Sequence, residues 1–82
     1  MNTPRNGKYD KVVDNFWNNV DLVLKERGMA SMELAKKLGI SPKTLSSKKA
    51  SRCNVSIASA KEMAEAMGTS IERLVYGDPK AQ

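Results

Sequence analysis

Two short apolar-patterned segments, separated by only three residues, constrain this chain more than any other feature. The first carries Met32, Leu34, Ala35 and Leu38, the second opens at Ser41-Pro42 and carries Leu45, and Gly39-Ile40-Ser41 joins them. The apolar residues recur at helical spacing. Helices linked this tightly must cross steeply and pack hard against each other, which sets demands at single positions. Ala35 must be small because the following helix passes over it. Gly39 must turn left-handed, which costs a residue with a side chain about 1 kcal/mol or more. Leu34, Leu38, Ile40 and Leu45 must be apolar to fill the wedge. The stretch Ser31 to Ala50 meets all six demands and so reads as a helix-turn-helix. Position 48 breaks the pattern, because an apolar residue is expected one turn after Leu45 and Lys48 stands there. Either the Lys48 stem lies over the wedge with its ammonium in solvent or on phosphate, or the second helix ends early.

The rest of the chain supplies three more helices. Residues 1–10 are polar, contain Pro4 and Gly7 and lack periodicity, so they read as a flexible N-terminal arm. Residues 11–77 form the domain and 78–82 a C-terminal tail. A first helix follows from Val13, Phe16, Trp17, Val20, Val23 and Leu24, with Asp10 or Asp14 as cap and Arg27-Gly28 as stop. Leu22 lies off this stripe and is expected to be exposed, while Phe16 and Trp17 read as core anchors rather than base-stacking platforms. Ser31 is the expected cap of the second helix, with Ala30 as the alternative. Ser41 caps the third and Pro42 takes its first position, with Thr44 and Leu45 turned inward and an end near Ala50 or Ser51. Ser51 to Asn54 is a polar connection. Ser56 caps a fourth helix whose buried face is Ile57, Ala60, Met63, Ala64 and Met67, ending at Gly68. Ser70 caps a fifth with Ile71, Leu74 and Val75, closed by Gly77 and Pro79. No strand pattern occurs, so the expected fold is all-α, a compact five-helix domain around one core.

Composition narrows the chemistry. The 82 residues include no histidine and one cysteine, which leaves no intramolecular disulfide, no zinc site of the Cys/His kind and no histidine-activated nucleophile. An enzyme, a cofactor and a metal are therefore not expected. The lone Cys53 suits a reducing, cytoplasmic setting and reads as a bystander. No apolar run approaches the ~18 residues of a membrane span, so no membrane partner is expected. The net charge is +5, and its distribution is more telling than its size. No acidic residue occurs between Glu33 and Glu62, while Lys36, Lys37, Lys43, Lys48, Lys49 and Arg52 all fall inside that gap. The acid-free stretch coincides with the helix-turn-helix, which favours a polyanion footprint.

Three runs, Glu33-Leu34-Ala35-x-x-Leu38-Gly39-Ile40-Ser41, Thr44-Leu45-Ser46 and Ala64-x-Ala66-x-Gly68-Thr69-Ser70-Ile71-x-x-Leu74-Val75, carry a family resemblance. With them, Phe16 to Gly77 resembles the DNA-binding domain of the phage lambda-type repressors, the xenobiotic-response-element-type regulators of bacteria. The Phe16-Trp17 pair further resembles a subgroup from Gram-positive bacteria and their phages. Two positions depart from the pattern, Lys48 replacing an aromatic or aliphatic residue and Val55 standing where proline is common. The resemblance implies a lambda repressor-like domain and a sequence-specific, double-stranded DNA-binding transcriptional regulator, a phage- or mobile-element-type repressor. In such motifs the N-terminal half of the third helix enters the major groove. The expected base readers are then Pro42, Lys43, Ser46 and Ser47, with Lys43 the best donor to guanine. Ser31, Lys48, Lys49, Arg52 and Asn54 are the expected contacts to the DNA backbone. Lys36 and Lys37 add charge on the second helix. Arg5, Lys8 and Lys11 either reach along the duplex or belong to a leader without function.

A single recognition helix covers only a half-site, so a homodimer on a palindromic operator is expected. Ile71, Leu74, Val75 and Tyr76 of the fifth helix are its candidate interface. The competing reading is an interaction module, such as an antitoxin, whose surface binds a protein partner. The sequence leaves open the operator, its half-site spacing, any effector, the sign of regulation and whether a longer repressor continues past Gln82.

Overall fold

In the computed structural model, which describes residues 10–77, five helices follow one another in chain order. They are α1 (Asp10–Arg27), α2 (Ser31–Leu38), α3 (Pro42–Ser51), α4 (Ile57–Met67) and α5 (Ile71–Tyr76). The described residues contain no strand, as the period-3.6 pattern predicts. Residues 1–9 of the expected arm, Arg5 and Lys8 among them, and the tail lie outside them, whereas Asp10 and Lys11, expected in the arm, belong to the first turn of α1. Asp14 sits inside α1 rather than at its start, and Leu22 is half-buried rather than exposed.

The core draws on every helix. Phe16, Trp17, Val20, Val23 and Leu24 come from α1, Leu34 and Ala35 from α2, and Leu45 from α3. Ala60, Met63, Ala64 and Met67 come from α4 and Leu74 from α5. Ile57, expected on the buried face of α4, is instead 81% exposed, because it sits at the first position of the helix and overhangs its end. Phe16 and Trp17 meet edge to face with centroids 5.3 Å apart. Both are buried, as core anchors should be.

Serine hydroxyls begin three of the helices. Ser41, Ser56 and Ser70 each accept the backbone N–H three residues on, at 3.1 Å. Helix α2 departs from the expectation for Ser31. The extended capping position is Ala30, and Ser31 is already the first helical residue. Its backbone N–H groups therefore start without a side-chain acceptor from the cap.

The longest polar clasp ties α1 to α5. Asn19 is fully buried on the apolar stripe, and its amide Nδ2 donates to the carbonyls of Leu74 at 3.0 Å and Gly77 at 2.9 Å. The Leu74 carbonyl lies in the last turn of a six-residue helix and that of Gly77 just past its end, where no following helical N–H exists to satisfy them. Beside this clasp Arg73 forks onto the two carboxylate oxygens of Glu26, at 3.3 and 3.0 Å. The Arg73 hydrogen bond, helped by its charge and that of Arg27, holds the Glu26 carboxyl below the usual range.

Two outcomes follow for stability. Asn19→Ala, which leaves both carbonyls short of a donor, should lower the unfolding free energy in urea by about 2 kcal/mol. Amide hydrogen exchange should show α5 opening first. The depressed Glu26 carboxyl stabilises the fold above the ordinary carboxylate range, and that contribution is lost as pH falls through the lowered folded value. Glu26→Gln should therefore remove part of the acid-limb slope by lowering stability near pH 7 while leaving it little changed near pH 2, as followed by urea unfolding with circular dichroism between pH 2 and 7.

Candidate nucleic-acid interface

The turn between α2 and α3 is closed by the backbone itself. Gly39 adopts φ 73°, its N–H donates to the Lys36 carbonyl at 3.1 Å, and the Ile40 N–H reaches the Ala35 carbonyl at 3.0 Å. This paired bonding satisfies the end of α2 and redirects the chain within three residues. Ala35 is wholly buried beneath the crossing, with Leu34 and Leu45 beside it, while Leu38 and Ile40 are half-buried at the edges of the wedge.

Helix α3 contributes only Leu45 to the buried core and packs mainly on α2. Its remaining surface is available. Pro42, Lys43, Ser46 and Ser47 are all exposed and share the outward face of its first two turns. Thr44, expected to face inward, is exposed as well, because its hydroxyl turns back to the Ser41 Oγ at 2.8 Å and completes the cap. Lys43 therefore sits among hydroxyl groups, with no acid in the first turn of the helix.

The expected backbone contacts fall into two groups. Ser31 is half-buried at the start of α2, a turn and a helix away from the outward row, whereas Asn54 is exposed in the link after α3. Lys48, Lys49 and Arg52 gather at the far end of α3. The helix runs through Ser51, so the early termination left open by Lys48 does not occur. Lys48 is exposed and lies along the rim of a cavity of about 250 Å³, walled by Trp17, Leu38, Ile40, Leu45 and Met63. Beside the expected second anchor the surface is indented rather than filled, and Lys48 lines the indentation together with the apolar wall. Lys49 is half-buried and its ammonium donates to Asp21 of α1 at 2.8 Å.

Arg52 carries the one positive φ among the described residues that is not glycine, at 52°. It closes α3 with the same two-bond pattern that Gly28, Gly39 and Gly68 use, its N–H on the Lys49 carbonyl and the Cys53 N–H on the Lys48 carbonyl, each at 3.1 Å. A left-handed residue with a side chain costs about 1–2 kcal/mol relative to glycine. Its guanidinium reaches Asn18 of α1 at 3.1 Å, and Nη1 is shielded without an acceptor. The Cys53 carbonyl that follows accepts the Trp17 indole N–H at 2.9 Å, which pins the link to the core.

Sequence reasoning missed Asn18 and Asp21. Their spacing puts them on one face of α1 off the apolar stripe, but nothing local says that this face meets the end of α3. No group of His, Cys, Asp and Glu among the described residues could hold a metal ion. No described helix is long and apolar enough to cross a membrane. Comparison with known proteins gives no matching family model, no matching curated protein and no matching solved structure.

Filling the indentation tests how α3 is held. Lys48→Leu should raise stability by about 1 kcal/mol, slightly more than the value of one buried methylene. A urea midpoint unchanged or lowered would mean that the lysine stem already supplies the missing packing.

Proposed function

We infer that this chain is a sequence-reading, double-stranded DNA-binding regulator of the repressor type that its motifs resemble. The observation that carries this reading is the outward row Pro42, Lys43, Ser46 and Ser47, exposed on a helix with one buried residue and followed by three cations at its far end. A helix so presented has the shape and donor chemistry to enter the major groove. Lys43 offers a bidentate donor to guanine, and the serine hydroxyls donate or accept with any base. Lys48, Arg52 and Asn54 supply sequence-independent grip on phosphate and sugar. The strain at Arg52 supports its role, since glycine closes three other helices in the same way at lower backbone cost.

Pairing across a palindrome would draw on a second surface. Leu74 is fully buried within the chain, which leaves Ile71 and Val75, half-buried, and Tyr76, 82% exposed, to face a second copy. Ile71 and Val75 also line an apolar groove with Val12, Val13, Phe16 and the exposed Ile57. The same groove supports the second reading, an interaction module that binds a protein partner, as an antitoxin does. The dependence of binding on salt separates the two. About six phosphate contacts make log K fall by roughly 0.9 per contact against log salt, whereas an apolar protein interface gives a shallow slope.

Selection of bound sequences from a random duplex pool tests the reading directly, and should return a recurring half-site. On the selected operator, Lys43→Ala should weaken specific binding by about 1–3 kcal/mol and leave binding to random duplex nearly unchanged. Arg52→Gly should behave differently. It relieves a left-handed backbone while removing one cation, so stability should stay within about 1 kcal/mol of the parent as affinity falls alike on both DNAs. Equal losses on both DNAs for Lys43→Ala would remove it from the base readers.

A further inference from the structure

Two polar residues on α1 reach the basic end of α3, and they treat its cations differently. Asn18 and Asp21 stand three residues apart, hence on one face of the helix. Asp21 Oδ1 accepts from the Lys49 ammonium at 2.8 Å, and Asn18 Oδ1 accepts from Arg52 Nη2 at 3.1 Å. The amide leaves the Arg52 charge intact, whereas the carboxylate neutralises Lys49. The pair is only partly screened, with the Lys49 side chain 28% exposed and that of Asp21 49% exposed. The location of Asp21 matters for charge, because α3 and both of its flanking links carry no acid of their own between Glu33 and Glu62. The carboxylate that reaches Lys49 comes from another helix.

We propose that Asp21 is a built-in competitor for DNA phosphate, which occupies Lys49 in the free protein and lowers its sequence-independent affinity. This inference rests on the DNA-binding reading above. A carboxylate oxygen 2.8 Å from an ammonium offers it the same charge and the same acceptor geometry as a phosphate oxygen. A phosphate arriving at Lys49 must displace that carboxylate or share the ammonium with it. Displacement forfeits the ion pair, and sharing sets two anions side by side. Either way the net gain from this contact is smaller than that of an unpaired lysine. The outward row escapes the effect, because Lys43, Ser46 and Ser47 lie toward the other end of α3 and none of them bonds to α1. Asp21 therefore tunes the grip on the backbone and leaves base reading alone. The opposite role, in which Asp21 orients Lys49 toward DNA, predicts the opposite sign.

The test uses the full chain and a random-sequence duplex of about 20 base pairs, with binding followed by fluorescence anisotropy over a salt series. Asp21→Asn should bind about three- to five-fold more tightly at low salt, the range of an exposed ion pair. Its slope of log K against log salt should steepen by up to about 0.9, one further phosphate contact. In a Lys49→Met background the same substitution should have a much smaller effect. Glu72→Gln, which removes one exposed acid from α5, controls for net charge and should leave the slope unchanged. Weaker binding by Asp21→Asn would overturn the proposal in favour of an orienting role. An equal gain in the Lys49→Met background would overturn it in favour of simple charge removal. Wild type that binds duplex with no gain in Asp21→Asn would overturn this inference alone, whereas failure of wild type to bind any duplex would overturn the DNA-binding reading and this inference with it.

Discussion

Helix α3 is held in place by a single buried side chain, Leu45, and this sparseness governs the rest of the structure. One apolar contact fixes position but not orientation. The tight turn at Gly39 fixes the helix at its N-terminal end, where two backbone bonds and the Ser41 cap leave little freedom. At the C-terminal end the restraint is polar. Lys49 and Arg52 bond to α1, and the Trp17 indole holds the Cys53 carbonyl just beyond. A helix anchored by apolar packing along its length would bury much of its circumference. This one keeps nearly all of its outward face, and uses its two ends to stay registered on the core.

That division has a cost on the inner side. The pocket walled by Trp17, Leu38, Ile40, Leu45 and Met63 lies where a second apolar anchor would sit, and Lys48 borders it instead. The pocket opens to solvent on one side, so its apolar walls make fewer dispersion contacts than side chains packed on every side. The lysine restores some cover through its stem and places a cation at the surface. Under the proposed reading, stability is exchanged at this position for charge beside the recognition face.

Much of this was legible in the sequence because it depends on local rules. The left-handed turn needs glycine, the crossing needs Ala35, and Ser41, Ser56 and Ser70 announce their helices by capping chemistry that operates within four residues. Where local rules offered two candidates, the reading was weaker. Ser31 is a better cap than Ala30 by residue type, yet the chain leaves the α1–α2 turn extended at Ala30 and enters helix at Ser31. The end of α3 carried no glycine to mark it, so a left-handed arginine had no signature. Thr44 was misplaced because its hydroxyl serves the cap rather than the core. The α1 contacts to α3 were out of reach for a different reason: Asn18 and Lys49 are remote in sequence from their partners, and pairing across that distance is set by how the helices pack. Asn19 was open to detection, since a polar residue on an otherwise apolar stripe must find a buried partner.

The placement of charge and apolar surface completes the physical argument. Cations collect at the end of α3, whereas the exposed large apolar residues Val12, Ile57 and Tyr76 belong to α1, α4 and α5, and Met32 stands apart from them on α2. No residue of the outward row lines the groove formed by those three helices. A surface that grips a polyanion needs dispersed donors and weak desolvation, while one that pairs two proteins needs apolar contact, and a single patch serves both poorly. Here the two chemistries occupy different helices. The clasp of Asn19 and Arg73 onto α5 and Glu26 then acquires a second meaning, because it fixes the apolar surface to the same long helix that restrains α3. Under the proposed reading α1 is the rigid element that sets the distance between two recognition helices, and half-site spacing is a property of its clasps as much as of the interface between copies.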